Sequence, residues 1–286
     1  MGHLFRRINL TVVFLLFQAI LYVAFLLLDL RGDSNAISAV IKYTIIIGCF
    51  LYSLIPERGQ ASLCRSLNIE KSVYRSTLFC MQAALFCTAI ADLFILILDY
   101  YLYGVVAFIL VQEFYSARLL LLRTEEKGLL LEPAKERKSC GAIKSFAYAL
   151  LKRILLQLIT ASASSSFLVW LGVNSDPLFL TSVFYFICIV YNVGMALQVA
   201  IRNPKIKSNL VYAIGMLLFL LCDINVGLFN LSGFVTIPEE MYSLLYSLSS
   251  ILMWTFYAPS QVLIALSSKL SGQGEQHNLQ KASKFS

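Results

Sequence analysis

Eight apolar runs, each near the ~20 residues needed to cross ~30 Å of hydrocarbon, leave this chain few ways to fold. They lie at roughly 8–28, 37–55, 76–98, 100–122, 150–171, 178–200, 209–230 and 242–267. No water-soluble core hides so much apolar surface. Of the 286 residues 59% are hydrophobic and 14% charged, where a soluble domain carries about a quarter charged. Mean hydropathy is +0.76. The excess must face lipid, so the expected fold is an all-α membrane bundle of about eight helices, one domain over 1–267. The polar segment 268–286 is expected to be a disordered tail.

The net charge of +7 does not point to nucleic acid, because Lys and Arg sit in short segments between the runs. They also alternate. One set comprises Arg6 and Arg7; Arg58, Arg65, Lys71 and Arg75; Arg123, Lys127, Lys135, Arg137, Lys138 and Lys144. It continues with Arg202, Lys205 and Lys207 and ends with Lys269, Lys281 and Lys284. The intervening loops hold Arg31 with the acids Asp33, Asp99, Asp176, Glu239 and Glu240. Basic loops stay in the cytoplasm, so both termini are expected there. The first run resembles a signal peptide but is too long and lacks an A-x-A site, which predicts a retained anchor. The longest loop, about 123–145, is basic and expected to be cytoplasmic. Pro56, Pro133, Pro177, Pro204 and Pro238 all fall in connections, and only Pro259 lies within a run, where it frees the Thr255 carbonyl. None of the seven cysteines falls in an outer loop, so no disulfide is expected.

Charged groups within the runs are costly and each needs a reason. Asp92 stands in AIADLFILI and Asp223 in LLCDINVGL. At 1.5 Å per residue both lie ~25 Å above the cytoplasmic basic belt, and Lys42, on a span running the other way, lies at the same depth. Polar and small residues recur at helical spacing around them: Gly215, Phe219, Asp223, Gly227 and Asn230; Gly104, Phe108, Gln112 and Tyr115; Trp254, Tyr257 and Gln261; Tyr191 and Asn192. Such residues also serve as interhelical glue worth ~0.6 kcal/mol each. For Gln112, Asn192, Tyr115 or Gln261 alone that bland reading is the better one; for two acids and a lysine at one depth, a shared interior is. Glu113, about a turn from Arg118, reads as structural, a partner for Arg118 or Arg153, and Lys152 and Arg153 are expected to snorkel.

The two histidines, His3 and His277, stand in the terminal tails. Within the runs there is therefore no His-based zinc site and no Ser–His nucleophile, and no metal or cofactor is expected. A carboxylate pair remains. It suits acid–base hydrolysis, and equally proton-coupled transport. The division into spans 1–4 and 5–8, each with an Asp on its third helix, suggests a parallel repeat.

Over most of spans 2 to 8 the chain resembles the YhhN-type lysoplasmalogenase family of multi-pass membrane proteins. The likeness is carried by Lys42; by ADLFILI followed by Gly104, Phe108 and Tyr115; by Tyr191 to Met195; by GMLLFLLCD-x-N; and by FYAPSQVLIALS with its Tyr-x-x-x-Gln spacing. Gln112 stands where many relatives have His, and Tyr43 where many have Pro. The resemblance implies hydrolysis of the vinyl-ether bond of a lysophospholipid, with Asp92 and Asp223 as the active carboxylates. It implies supporting roles for Lys42, Gln112, Tyr115, Asn192, Asn225, Tyr257 and Gln261. It also implies a lipid substrate, a bacterial plasma membrane and a two-carboxylate mechanism akin to glycoside hydrolysis. The rival expectation is a proton-coupled carrier for a small amphiphile or lipid.

Overall fold

The structure, a computed structural model, describes residues 2–31, 36–55, 70–131, 139–173, 175–233 and 238–282. These form the helices α1 (Gly2–Leu30), α2 (Ala36–Leu54), α3 (Glu70–Asp92), α4 (Tyr101–Leu131), α5 (Ser139–Trp170), α6 (Pro177–Arg202), α7 (Lys207–Phe229) and α8 (Glu239–Ala282). Each carries a stretch long and apolar enough to cross a membrane. Among the described residues there is no strand, and the fold is the all-α eight-helix membrane bundle that the apolar runs predict.

The helix ends follow local chemistry. Asp176 caps α6 by accepting a hydrogen bond from the Phe179 amide at 2.6 Å, and Pro177 begins the helix where no amide hydrogen is needed. α5 stops at Gly172, whose φ of +89° suits a residue without Cβ. Two ends run past the expected positions. The long basic loop is largely helix, since α4 continues to Leu131 and α5 starts at Ser139. The tail expected to be disordered is helical to Ala282, as its Gln, Glu, Lys and Ala content permits.

Helices α2, α3, α4, α6, α7 and α8 close into a ring, each packing on the next, and α8 returns to α2. α1 lies outside on α2 and α8, and α5 lies outside on α6 and α4. Only 17% of the membrane window of α1 and of α5 is buried, against 28–44% in the ring. The pairings α1–α2, α2–α3, α3–α4, α1–α8 and α2–α8 recur as α5–α6, α6–α7, α7–α8, α5–α4 and α6–α4. The contact pattern is that of two parallel four-helix repeats.

Three local features aim side chains into the ring. Gly215 lets α7 press on α8, because a Cβ there would lie 3.1 Å from the Ser260 carbonyl oxygen and 3.2 Å from the Ile264 amide nitrogen. Pro259 removes one hydrogen bond from α8, and the freed Thr255 carbonyl accepts from the Tyr22 hydroxyl of α1 at 3.4 Å. α3 widens after Asp92 into a π-turn, Leu93–Ile97, and Asp99 at φ +57° then turns the chain into α4. Asp is among the few residues that adopt this left-handed conformation readily.

Candidate functional site

Asp92 sits where regular α3 gives way to the π-turn, and it is buried. Its Oδ2 accepts a hydrogen bond from the Tyr257 hydroxyl of α8 at 2.7 Å. Asp223, on α7, keeps partial exposure, and its Oδ2 accepts from the Tyr185 hydroxyl of α6 at 2.7 Å. Phe108 of α4 stands between the two tyrosines, with ring centroids 5.7 Å from Tyr185 and 6.4 Å from Tyr257. Phe219 packs edge-on to Phe108 at 5.9 Å and lies 5.4 Å from Tyr257. Two acids, each held by a tyrosine, thus flank one aromatic cluster built from α4, α6, α7 and α8.

Lys42 does not form an ion pair with either acid. Its ammonium pairs with Asp29 of α1 at 2.8 Å, and the Ser38 hydroxyl donates to the other Asp29 oxygen at 2.7 Å. The hairpin that joins α1 to α2 sets these groups side by side. The Lys42 ammonium also lies 5.0 Å from the Trp254 ring centre and 5.6 Å from that of Phe25, within cation–π range. Trp254 in turn meets Tyr257 edge-on at 5.2 Å. Lys42 therefore reaches the cluster through an indole face rather than through charge.

A second polar layer centres on Asn192. Its Nδ2 donates to both the backbone oxygen and Oε1 of Gln112, each at 2.8 Å. Its Oδ1 accepts from Ser116 Oγ at 3.0 Å and from Arg153 Nη2 at 2.6 Å. Arg153, expected to snorkel, turns inward instead, and its Nη1 also meets the Met195 sulfur. A carbonyl inside the bundle offers the guanidinium more than the lipid interface does. Glu113 forms no ion pair among the described residues; its Oε1 accepts from the Cys188 thiol at 3.8 Å. Arg118 lies 4.2 Å over the Tyr212 ring, which meets Tyr115 edge-on at 5.8 Å. Gln112 Nε2 makes no hydrogen bond among the described residues.

Other residues of the expected set lie apart. Asn225 donates to the Leu221 carbonyl of its own helix at 2.7 Å, and the Gln261 amide donates to Ser260 Oγ at 3.3 Å. Gly227 faces open space and Asn230 is exposed, so the α7 stripe points inward only from Gly215 to Asp223. Tyr185 and Asp29, which hold Asp223 and Lys42, are the partners that sequence patterns miss. Among the described residues no three of His, Cys, Asp and Glu converge as a metal site.

Comparison with family models, with curated proteins and with solved structures finds no match to this chain.

Proposed function

We propose that the chain is a membrane-embedded hydrolase of the YhhN lysoplasmalogenase type, cleaving the vinyl-ether bond of lysoplasmalogens. The observation that carries the reading is the pair Asp92–Tyr257 and Asp223–Tyr185 around Phe108. A carboxyl protonates the alkene carbon, which leaves an oxocarbenium ion at the ether-bearing carbon. Water adds to that carbon and gives up a proton to the second carboxylate. The resulting hemiacetal collapses to a fatty aldehyde and the free hydroxyl of a glycerophospho-headgroup product. Two-carboxylate chemistry of this kind stabilises glycosyl cations in the same way. Asp223, which keeps partial exposure, is the acid that water reaches, and buried Asp92 is assigned the proton donor. Phe108 and Phe219 supply an apolar wall for the alkenyl chain and ring faces toward the cation.

The alternation of basic loops supports a cytoplasmic position for both termini, and the resemblance supports a bacterial plasma membrane. A proton-coupled carrier is the second reading, favoured by the buried polar layer in which Asn192 bonds Gln112, Ser116 and Arg153. One assay separates them. Purified protein in detergent is expected to release aldehyde from 1-alkenyl lysophospholipids but not from 1-alkyl analogues, which form no oxocarbenium ion on protonation. Absence of release across headgroups and chain lengths, with pH-dependent lipid uptake into vesicles, would transfer the case to the carrier.

A further inference from the structure

α1 lies outside the ring, yet one of its side chains is sunk into it. Among the described residues of α1, Phe25 alone is fully buried, at 0% exposure, in a helix with only 17% of its membrane window buried. Its ring meets Trp254 of α8 edge-on at 6.1 Å. The Lys42 ammonium of α2 lies 5.6 Å from the Phe25 ring centre and 5.0 Å from that of Trp254. Phe25 therefore fills the seam where α2 and α8 close the ring. One turn further on the same face of α1, Asp29 pairs with Lys42 at 2.8 Å. From the seam inward every step is a contact: Trp254 meets Tyr257 at 5.2 Å, and Tyr257 donates to Asp92 at 2.7 Å.

The apolar and polar parts of this closure are held differently. Between a helix and lipid there is no hydrophobic driving force, because a lipid chain is as apolar as Phe25. A hydrocarbon chain against Trp254 replaces the Phe25 ring at the cost of packing alone. What holds α1 at the seam is polar: the Asp29–Lys42 pair, with the long Tyr22–Thr255 hydrogen bond of 3.4 Å. The corresponding seam of the second repeat, between α4 and α6, offers no such place. There Arg153 of α5 reaches inside and donates to Asn192 at 2.6 Å, and a hydrocarbon chain cannot take over that hydrogen bond.

We propose that the α2–α8 seam is a lateral entrance for one hydrocarbon chain of an amphiphile, with Phe25 as its plug and the Asp29–Lys42 pair as its latch. The chain enters from the bilayer beside α1 and lies against Trp254, one contact from Tyr257. Cleavage of the amphiphile at Asp92 rests on the hydrolase reading; the entrance does not.

Trp254 reports on the seam directly. Trp170→Phe leaves it the only tryptophan, and Trp170 is 78% exposed at the end of α5. Full-length Trp170→Phe protein in excess dodecylmaltoside is titrated with a lysophosphatidylcholine whose stearoyl chain is dibrominated, a quencher that acts at contact, against the unbrominated lipid. The acyl ester has no vinyl ether, so turnover does not enter. Quenching is expected to saturate. Phe25→Ala and Asp29→Asn, each added to Trp170→Phe, are expected to tighten half-saturation about ten-fold, because a site open in about a tenth of molecules binds with about a tenth of its intrinsic affinity. Side chains that only pack or pair give the opposite sign, weaker binding on removal. Quenching that grows with lipid and never saturates overturns the proposal, as does a folded Phe25→Ala or Asp29→Asn protein that binds no more tightly. If neither variant folds, Phe25→Leu, which shortens the plug and keeps it apolar, carries the same expectation of tighter binding. Saturable binding without aldehyde release from a 1-alkenyl lysophospholipid removes the hydrolase reading alone; aldehyde release without binding at the seam removes the entrance alone.

Discussion

Tyr257 and Asp92 stand 165 residues apart in sequence and share a hydrogen bond of 2.7 Å that ties the last helix to the third. The bond makes Tyr257 a positioning residue for the buried carboxyl. Tyr257→Phe keeps the ring against Phe219, Phe108 and Trp254 and removes only the hydroxyl. Aldehyde release is expected to fall about 10²-fold, the lower end of acid–base contributions, with little change in KM. Tyr185→Phe is expected to act on Asp223 in the same way. Asp92→Asn and Asp223→Asn are expected to abolish turnover while the protein still elutes as a folded species. Unimpaired release by both Asn variants would remove the carboxylate mechanism.

The Lys42–Asp29 pair is nearly dry, with side chains 11% and 10% exposed. Breaking such a pair from one side leaves a charge without its partner, at a cost of about 3 kcal/mol. Asp29→Asn is therefore expected to lower the melting temperature, and Lys42→Met added to it to restore most of the loss. A double variant as unstable as the single one would show that Lys42 is compensated elsewhere.

Asn192 makes four hydrogen bonds to three residues, which no apolar side chain replaces. Asn192→Leu is expected to cost about 3–5 kcal/mol in unfolding by denaturing detergent, because it strands Arg153 and Gln112 together.

Two glycines of α7 make an internal control. At Gly215 an added Cβ would meet Ile264 Cγ1 at 2.9 Å and α8 backbone at 3.1 and 3.2 Å, whereas at Gly227 nothing lies within 4 Å. Gly215→Ala is expected to destabilise by about 1–3 kcal/mol through overpacking. Gly227→Ala is expected to be neutral or to stabilise by up to ~1 kcal/mol. Equal effects in thermal melts would mean that α7 and α8 do not approach so closely.

Orientation is read from single cysteines placed on a cysteine-free background. Positions 176 and 239 are expected to react with an impermeant thiol reagent from outside, and positions 202 and 207 only after permeabilisation. Position 33 has the same expectation as 176 but lies outside the described residues. Protection of 176 or 239 in intact cells would break the alternation.

The eight helices were legible because lipid as solvent demands long apolar segments, and no other constraint competes with that one. Tyr257 was legible as an inward-facing residue because it shares a helical stripe with Trp254 and Gln261. Tyr185 carried a fainter signal: it stands two turns before Asn192 on the same face. The partner of Lys42 was missed because the matched-depth argument looked only toward the bundle centre, whereas the α1–α2 hairpin offers Asp29 at shorter range. Arg153 was read with its neighbour Lys152, although adjacent helical positions point about 100° apart. Pairing across helices is a tertiary fact, and one-dimensional periodicity gives only the face.

Counting along a helix assumes that every turn holds the same number of residues, and the π-turn at Leu93–Ile97 breaks that assumption immediately after Asp92. A π-turn is the mark of one residue inserted into an α-helix. The third span therefore holds its acid in one phase and the segment beyond it in another. That shift seats Ile95 against Gly104, where an added Cβ would lie 2.3 Å from Ile95 Cγ1. Removing one residue from 93–97 would let the span relax to a plain α-helix with the acid still in place, at the loss of that seat. Removing one residue of α3 before Asp92 would rotate the acid away from Tyr257. The span thus has one end open to length change and one end closed to it.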